Sequence, residues 1–162
     1  MKKYLFHGSQ CGTITVLEPR ISVGFNKPLV YATNDFRYAL VRAGKQEDLI
    51  REEYYGFGKP FELAEIFKNS FKEQFECKGY IYLLDPNDFE DHEFEFVSSK
   101  PVIPVDRIEI PNIWSYMRRL NDDGDFYDLH WHDDEEYWST VRGGRKGFIY
   151  RKQIRKMLLE AD

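Results

Sequence analysis

The sequence predicts a single α+β domain, and three observations carry that prediction. The chain has 162 residues, a length at which one domain buries a core of its own. Apolar runs of strand length, bounded by turn residues, are mixed along the chain with segments whose apolar residues recur at helical spacing. Phe, Tyr and Trp make up 17% of the residues, which indicates a core and a pocket built on rings.

Composition excludes several classes of protein. The formal net charge of −5 provides no general attraction to nucleic acid or to an anionic membrane. Cys11 and Cys77 form neither a metal-ligand pattern nor a disulfide framework. The sequence has no apolar run long enough for a transmembrane helix, and residues 1–3 lead into the first strand without the apolar region of a signal peptide. We therefore expect a cytoplasmic protein with reduced thiols.

The first predicted strand ends in a polar tripeptide. The apolar run Tyr4-Leu5-Phe6 leads into His7, Gly8 and Ser9, where the strand is expected to pass into a loop. A glycine allows the backbone to approach a ligand closely, and a histidine there could exchange hydrogen bonds with a bound hydroxyl at neutral pH. A purely structural role for His7 is the competing interpretation.

Residues 10–28 are expected to form a loop, because Gly and Pro recur through them. Arg20 lies in this loop beside Pro19. Its planar guanidinium could hold a phosphate or a carboxylate, or it could simply pair with Glu18 at the surface.

A second strand, residues 29–33, leads directly into a helix. We expect Thr33 or Asn34 to cap this helix, Asp35 to place negative charge in its first turn, and Gly44 to end it. Tyr31 would then lie near the strand-to-helix corner. It could face a cleft there, or it could be a core tyrosine with a satisfied hydroxyl.

The middle of the chain predicts helices followed by a strand. Residues 48–55 could be helical. An amphipathic helix is predicted over residues 61–75 from apolar residues that recur every three or four positions, namely Phe61, Ala64, Phe67, Phe71 and Phe75. The apolar run of residues 79–84 predicts a third strand, central in its sheet.

Two further strands are predicted after that. Residues 92–98 alternate strictly, which would put Glu93 and Glu95 on one face of a strand. A strand carboxylate of this kind either faces solvent or points into a site. Residues 107–110 predict a final strand, and the prolines before it suit the edge of a sheet.

The C-terminal part of the sequence changes in character. Residues 113–120 predict a short helix. Residues 121–136 are rich in Asp and Glu and carry His130 and His132, which could bind a metal. Their spacing is not a zinc pattern, so we expect a solvated acidic loop without a metal. Residues 145–159 predict a basic helix, which could pair with the acidic loop or contact nucleic acid.

Taken in order, these motifs resemble a known family. His7-Gly8-Ser9 ending one strand, Tyr31-Ala32-Thr33 ending another before a helix, and a later strand glutamate are similar to the His-Tyr-Glu arrangement of diphtheria-toxin-type ADP-ribosyltransferases. Glu95-Phe96-Val97-Ser98, followed by Pro101-Val102 and the strand Ile108-Glu109-Ile110, resembles the glutamate strand of small bacterial members. The resemblance covers roughly residues 3–110, and its specificity lies in the order and strand context of short motifs.

The resemblance implies a split α+β fold in which two small, mostly antiparallel sheets face each other across an NAD cleft. On this basis, residues 1–111 would form the ADP-ribosyltransferase-like body. Residues 112–162 would form a helical and acidic-loop extension packed on that body, within one domain overall.

The resemblance also implies a role for each matching residue. Glu95 would hydrogen-bond the 2′-hydroxyl of the nicotinamide ribose and stabilise an oxocarbenium-like transition state. His7 would hydrogen-bond a ribose hydroxyl, and Tyr31 would stack on the nicotinamide ring. The cofactor-binding residues implied in this way are His7, Gly8, Ser9, Arg20, Tyr31 and Thr33, with Gly8 holding the carboxamide and Arg20 near the pyrophosphate.

The function implied is transfer of ADP-ribose from NAD to a protein or nucleic-acid acceptor that the sequence does not identify. Glu93 stands two residues before Glu95, and such a Glu-x-Glu pair occurs in arginine-modifying relatives. The resemblance therefore also implies an arginine side chain as a possible acceptor and a catalytic role for Glu93. Two alternatives stay open: an NAD-using RNA 2′-phosphotransferase, and a non-catalytic binding module of the same fold. We expect His7 and Tyr31 to lie in one pocket, and no membrane partner.

Overall fold

Three small sheets and five α-helices form the part of the chain that the computed structural model describes, which is residues 3–22, 25–46, 48–93 and 95–161 without the side chain of Phe25. The strands are β1 (Leu5–Ser9), β2 (Arg20–Ser22), β3 (Phe25–Ala32), β4 (Ile50–Glu53), β5 (Phe61–Glu65), β6 (Gly79–Leu84), β7 (Glu90–His92), β8 (Glu95–Ser98), β9 (Asp106–Ile110) and β10 (Tyr127–His130). The helices are α1 (Phe36–Arg42), α2 (Ser70–Phe75), α3 (Ile113–Asp123), α4 (Glu135–Ser139) and α5 (Gly144–Glu160). The predicted α+β class is confirmed, with three sheets instead of the two expected.

The first sheet has the order β1-β6-β9 and is antiparallel throughout. Its central strand, β6, is buried on both faces, because Ile81 packs into one core cluster with α1 while Tyr82 and Leu84 pack into another. A strand that is covered on both faces is apolar at almost every position. The predicted central place of β6 and edge place of β9 are both confirmed.

The second sheet has the order β2-β3-β8-β7 and is also antiparallel. It joins the first sheet through one pair of backbone hydrogen bonds. The Phe6 N–H donates to the Thr33 carbonyl at 2.7 Å, and the Thr33 N–H donates to the Phe6 carbonyl at 2.9 Å. Leu5, Val30 and Leu84 lie in the core cluster that these two sheets share.

The third sheet has the order β4-β5-β10, with β5 antiparallel to β4 and parallel to β10. Strand β10 comes from the segment after residue 112, and Tyr127 is buried in the same core cluster as Phe61. The division of the chain at residues 111 and 112 stays a prediction.

Helix α1 begins at a buried aspartate. The Asp35 carboxylate accepts a hydrogen bond from the Arg37 N–H at 3.0 Å, so Asp35 is the N-cap in place of the predicted Thr33 or Asn34. Thr33 supports the cap by accepting from the Asp35 N–H through its hydroxyl. The last helical residue is Arg42 and Ala43 is the C-cap, so Gly44 directly follows the cap, where a glycine that ends the helix is expected.

The helix predicted over residues 61–75 is wrong. Phe61–Glu65 forms the central strand of the third sheet, and only Ser70–Phe75 is helical. A strand paired on both sides carries apolar residues on both faces, and such a run has no period that separates it from a helix. Phe67, which the predicted helix would bury, is 48% exposed, whereas Phe71 is 2% exposed.

Two expected loop or helix segments contain strands. Residues 10–28 include β2 and the first part of β3, so Arg20 lies on a strand paired with Leu29. Residues 48–55 include β4 and not a helix, because β4 pairs with β5 along its whole length. Both segments carry weak local patterns, and tertiary pairing decides their conformation.

The single strand predicted over residues 92–98 is a hairpin. Strands β7 and β8 pair with each other, and Glu93 lies in the turn between them with φ of 60°. The prediction that Glu93 and Glu95 share a strand face is therefore wrong. Phe94 lies outside the described residues.

The C-terminal segment is more ordered than its composition indicates. Residues 121–136 contain strand β10 and the start of α4, and so they are not simply a solvated loop. The predicted basic helix is confirmed as α5, but Lys152 pairs with Asp48 at 3.3 Å and not with the acidic segment. Within the described residues, no helix is both long and apolar enough to cross a membrane.

The stretch from Phe61 to Phe75 gives a test of this fold. We expect Phe71→Ala to lower the free energy of unfolding by about 3–5 kcal/mol, because it leaves a cavity in a buried ring cluster. Phe67→Ala should cost only about 0.5 kcal/mol, as surface changes usually do. Urea denaturation of both variants measures the difference, and equal losses would instead fit one continuous helix.

Candidate functional site

A cavity of about 870 Å³ opens where the first two sheets meet, beside helix α1. Among its lining residues are His7 of β1, Tyr31 of β3 and Glu95 of β8, which are far apart in the sequence. The expectation that His7 and Tyr31 share one pocket is confirmed. The lining residues are Phe6, His7, Gly8, Ser9, Gln10, Ser22, Tyr31, Ala32, Thr33, Tyr38, Ala39, Arg42, Gly44, Gln46 and Glu95.

The backbone bridge between Phe6 and Thr33 brings these residues together. His7 directly follows Phe6, and Tyr31 stands two residues before Thr33. Strand β8 pairs with β3 so that Ala32 lies opposite Phe96, which puts Glu95 one position beyond that pair, beside the bridge. Each of the three side chains is therefore positioned by a strand and not by a loop.

His7 is held as a neutral imidazole with one free acceptor. Its Nδ1 lies 2.8 Å from the Tyr31 carbonyl oxygen, and because a carbonyl can only accept, Nδ1 carries the proton of this hydrogen bond. Burial lowers the pKa of His7 below its ordinary value of 6.5, against the opposing effect of this hydrogen bond, and the charge of Arg20 lowers it further. At neutral pH Nε2 is therefore an acceptor for a ligand hydroxyl.

Gly8 has a packing role that the sequence did not indicate. A Cβ at this position would lie 1.9 Å from the Ala39 carbonyl oxygen and 2.7 Å from the Ala43 nitrogen, so only glycine lets β1 approach α1 this closely. Backbone groups of alternate strand residues point to the same edge. The backbone groups of Phe6 bond to Thr33 at the edge of β1 that lies away from β6. The amide and carbonyl of Gly8, two residues further along, therefore point to that same edge, toward the cavity.

Tyr31 contributes a ring whose hydroxyl is anchored. The Tyr31 and Ser22 hydroxyls lie 2.7 Å apart and share a hydrogen bond, which ties the ring to strand β2. A phenol held at its far end keeps its ring face in one orientation. This arrangement suits stacking against a flat aromatic ligand.

Arg42 places a positive charge in the same cavity as Glu95. Its guanidinium donates to a Glu52 carboxylate oxygen at 2.6 Å and to the Tyr38 hydroxyl at 3.3 Å, and it lies 5.0 Å from the centre of the Tyr38 ring. Burial lowers the pKa of Arg42, but the charge of Glu52, the Tyr38 hydroxyl and, last, the charge of Glu95 together outweigh this and raise it above its ordinary value. The cavity therefore holds both signs of charge.

Most of the residues expected at the site line this cavity, and two do not. His7, Gly8, Ser9, Tyr31, Thr33 and Glu95 are all lining residues. Arg20 is exposed on β2 and acts on His7 only through its charge. Glu93 is exposed in the turn before β8 and is not among the residues that line the cavity.

Helix α1 contributes lining residues that were not predicted from the sequence. Tyr38 and Arg42 line the cavity from one face of this helix, with Gln46 just beyond its end. Their spacing of four residues was a usable signal, because residues i and i+4 share a helix face. Gln10 was missed as well, and its amide nitrogen donates to the Ala43 carbonyl at 2.8 Å.

Comparisons of the chain with protein-family models, with curated proteins and with solved structures found no match. The function of the cavity must therefore be argued from its own geometry and chemistry.

The state of His7 predicts how stability depends on pH. Because its pKa is lower in the folded protein than the ordinary 6.5, the unfolded chain binds the proton first as the pH falls. The stability contributed by neutral His7 is present above pH 6.5 and is lost as the pH falls through the lowered value. Wild type should lose at most about 1.4 kcal/mol per pH unit more than His7→Gln in this window.

Urea denaturation of both proteins between pH 7.5 and pH 5 tests this prediction. Parallel stability curves for wild type and His7→Gln would contradict a neutral, buried His7.

Proposed function

We propose that the chain is an NAD-dependent ADP-ribosyltransferase. The observation that supports it most is that His7, Tyr31 and Glu95 line one cavity in the combination that the His-Tyr-Glu resemblance requires. The three residues come from three strands, so their convergence is a property of the fold and not of a local sequence motif.

The nicotinamide, its ribose and the pyrophosphate of NAD have chemically suitable partners in or beside the cavity. The Gly8 amide and carbonyl offer one donor and one acceptor, which matches the two polar groups of a carboxamide. The Tyr31 ring offers a face for the nicotinamide, and His7 Nε2 accepts from a ribose hydroxyl. Arg42 and the exposed Arg20 offer positive charge to the pyrophosphate.

The proposed reaction breaks the bond between ribose C1′ and the nicotinamide nitrogen. The electron pair of that bond leaves with nicotinamide and neutralises its ring charge, while positive charge develops on the ribose. Glu95 stabilises this charge and accepts a hydrogen bond from the 2′-hydroxyl. The acceptor then attacks C1′ with its lone pair and loses a proton to water. Preorganised negative charge is the main contribution that such a step needs.

Glu93 suits a role in choosing the acceptor. It is exposed in the β7–β8 turn, two residues from Glu95, and could bind a cationic acceptor such as an arginine side chain before the attack. This role needs proximity to the mouth of the cavity but no contact with NAD.

Arg42 favours one second candidate, the RNA 2′-phosphotransferase reaction. An arginine inside the cavity could hold the 2′-phosphate of an RNA, with NAD as the co-substrate. Arg42 already donates to Glu52 at 2.6 Å, and no other Arg or Lys is among the described residues that line the cavity, which is why the ADP-ribosyltransferase is proposed first.

Glu95→Gln is the deciding variant. If Glu95 stabilises charge that develops only in the transition state, its loss should slow nicotinamide release at saturating NAD by about 10²–10³ and leave NAD affinity nearly unchanged. Nicotinamide release is followed by chromatography, with water or an arginine compound as the acceptor, and NAD affinity by calorimetry.

Glu93→Gln is the matched control, since it removes the neighbouring carboxylate from the turn. It should spare NAD hydrolysis and reduce transfer to arginine. NAD binding without any nicotinamide release by wild type would point to the binding module. Release that requires 2′-phosphorylated RNA would point to the phosphotransferase.

A further inference from the structure

A second cluster of polar side chains lies on the third sheet, outside the cavity. Glu62 belongs to β5, and Asp128 and His130 belong to the parallel neighbour β10. Asp128 lies opposite Glu62 in the register, and His130 is two residues further along, so the three side chains share one face of the sheet. One ligand atom from each lies within 4.8 Å of the others.

Both ring nitrogens of His130 lie against carboxylates. Its Nε2 lies 3.1 Å from an Asp128 oxygen, and its Nδ1 lies 3.2 Å from an Asp134 oxygen. A neutral imidazole has one N–H and can donate to only one of these carboxylates. The other nitrogen is satisfied either by a second proton on the ring or by a metal ion that lies between the nitrogen and its carboxylate.

The surrounding contacts hold the imidazole and the carboxylate in place. The His130 ring stacks on Tyr137 with 3.9 Å between ring centres. Its Nδ1–H can donate a hydrogen bond to Asp134, which leaves the lone pair of Nε2 for a metal ion. The Tyr137 hydroxyl and Arg51 both donate to Oε1 of Glu62, at 2.7 and 2.9 Å. Among the described residues, Oε2 of Glu62 has one contact, a long one of 3.4 Å from the Tyr55 hydroxyl.

We propose that Glu62, Asp128 and His130 bind a Zn²⁺ ion. One imidazole nitrogen and two carboxylate oxygens form a donor set that zinc accepts, with water at the fourth position. Ligand atoms around zinc lie about 3.4 Å apart, as bonds of about 2.1 Å require. His130 Nε2 and the Asp128 oxygen are 3.1 Å apart and all three ligand atoms lie within 4.8 Å of one another, so small side-chain movements would complete the set. Asp128 is 54% exposed and gives the ion a path from solvent.

The ion would join β10 to β5. Arg51 competes with it for the charge of Glu62, but the same contact keeps Glu62 oriented. This proposal does not depend on the function proposed for the cavity, which the three ligands do not line.

Calorimetric titration of the chelator-treated full chain with zinc chloride tests the site. Wild type should bind one Zn²⁺, and His130→Gln and Asp128→Asn should each weaken binding by more than about tenfold. His132→Gln is the matched control, because His132 is two residues away, lies outside the cluster, and should leave the affinity unchanged. Magnesium chloride should bind much more weakly, because Mg²⁺ prefers oxygen ligands.

The unfolding temperature gives a second readout. Zinc should raise the unfolding temperature of wild type and of His132→Gln and have little effect on that of Asp128→Asn. Asp128 is half-exposed, so Asp128→Asn is expected to fold even where His130→Gln does not. The proposal would be overturned if wild type did not bind one Zn²⁺ per chain, if His132→Gln weakened zinc binding as much as His130→Gln does, or if wild type bound Mg²⁺ as tightly as Zn²⁺.

Discussion

The two hydrogen bonds between Phe6 and Thr33 are the contact on which the candidate site depends. They join the first and second sheets at a single bridge, and among the described residues the pairing of β1 with β3 does not extend into a ladder. A longer ladder would close the space between the sheets. One bridge instead leaves a cavity that is lined by the neighbours of Phe6 and Thr33. For this reason His7 and Glu95, which are 88 positions apart in the sequence, both line it.

Helix α1 forms the other wall of the cavity, and residues distant in sequence hold it in place. Asp35 caps the helix and accepts from the Tyr54 hydroxyl at 2.6 Å, while Arg37 donates to the carbonyls of Gly56 and Phe126. The Tyr127 hydroxyl donates to the Arg37 carbonyl at 2.9 Å. The third sheet and the C-terminal segment therefore support the wall that carries Arg42, although neither contains a candidate catalytic residue.

What the sequence predicted correctly depended on local signals. His7-Gly8-Ser9, the strand before α1 and the strand that carries Glu95 each have a pattern that their neighbours reinforce, and the structure agrees with their strand context. Strand β10 also has an alternating pattern, because the apolar Tyr127 and Leu129 are separated by Asp128 and followed by His130, but this short run lies in an acid-rich segment whose composition predicts a loop. Phe61–Glu65 has no alternation that separates it from a helix, and its strand partners β4 and β10 are set by tertiary pairing.

The roles proposed for Glu95 and Glu93 correspond to their places in a strand and in a turn. Glu95 begins β8 and lies opposite His92 of β7, and the pairing of β8 with β3 starts at the next residue, Phe96, so the sheet restricts its backbone position. Charge stabilisation in a transition state requires a group that is already in place, because reorganising it would consume the energy gained. Glu93 has a positive φ in an exposed turn, and its carboxylate is not restricted by a ladder. Such a group can adapt to acceptors of different shape, which is the property that acceptor recognition needs and that stabilisation of the ribosyl cation does not.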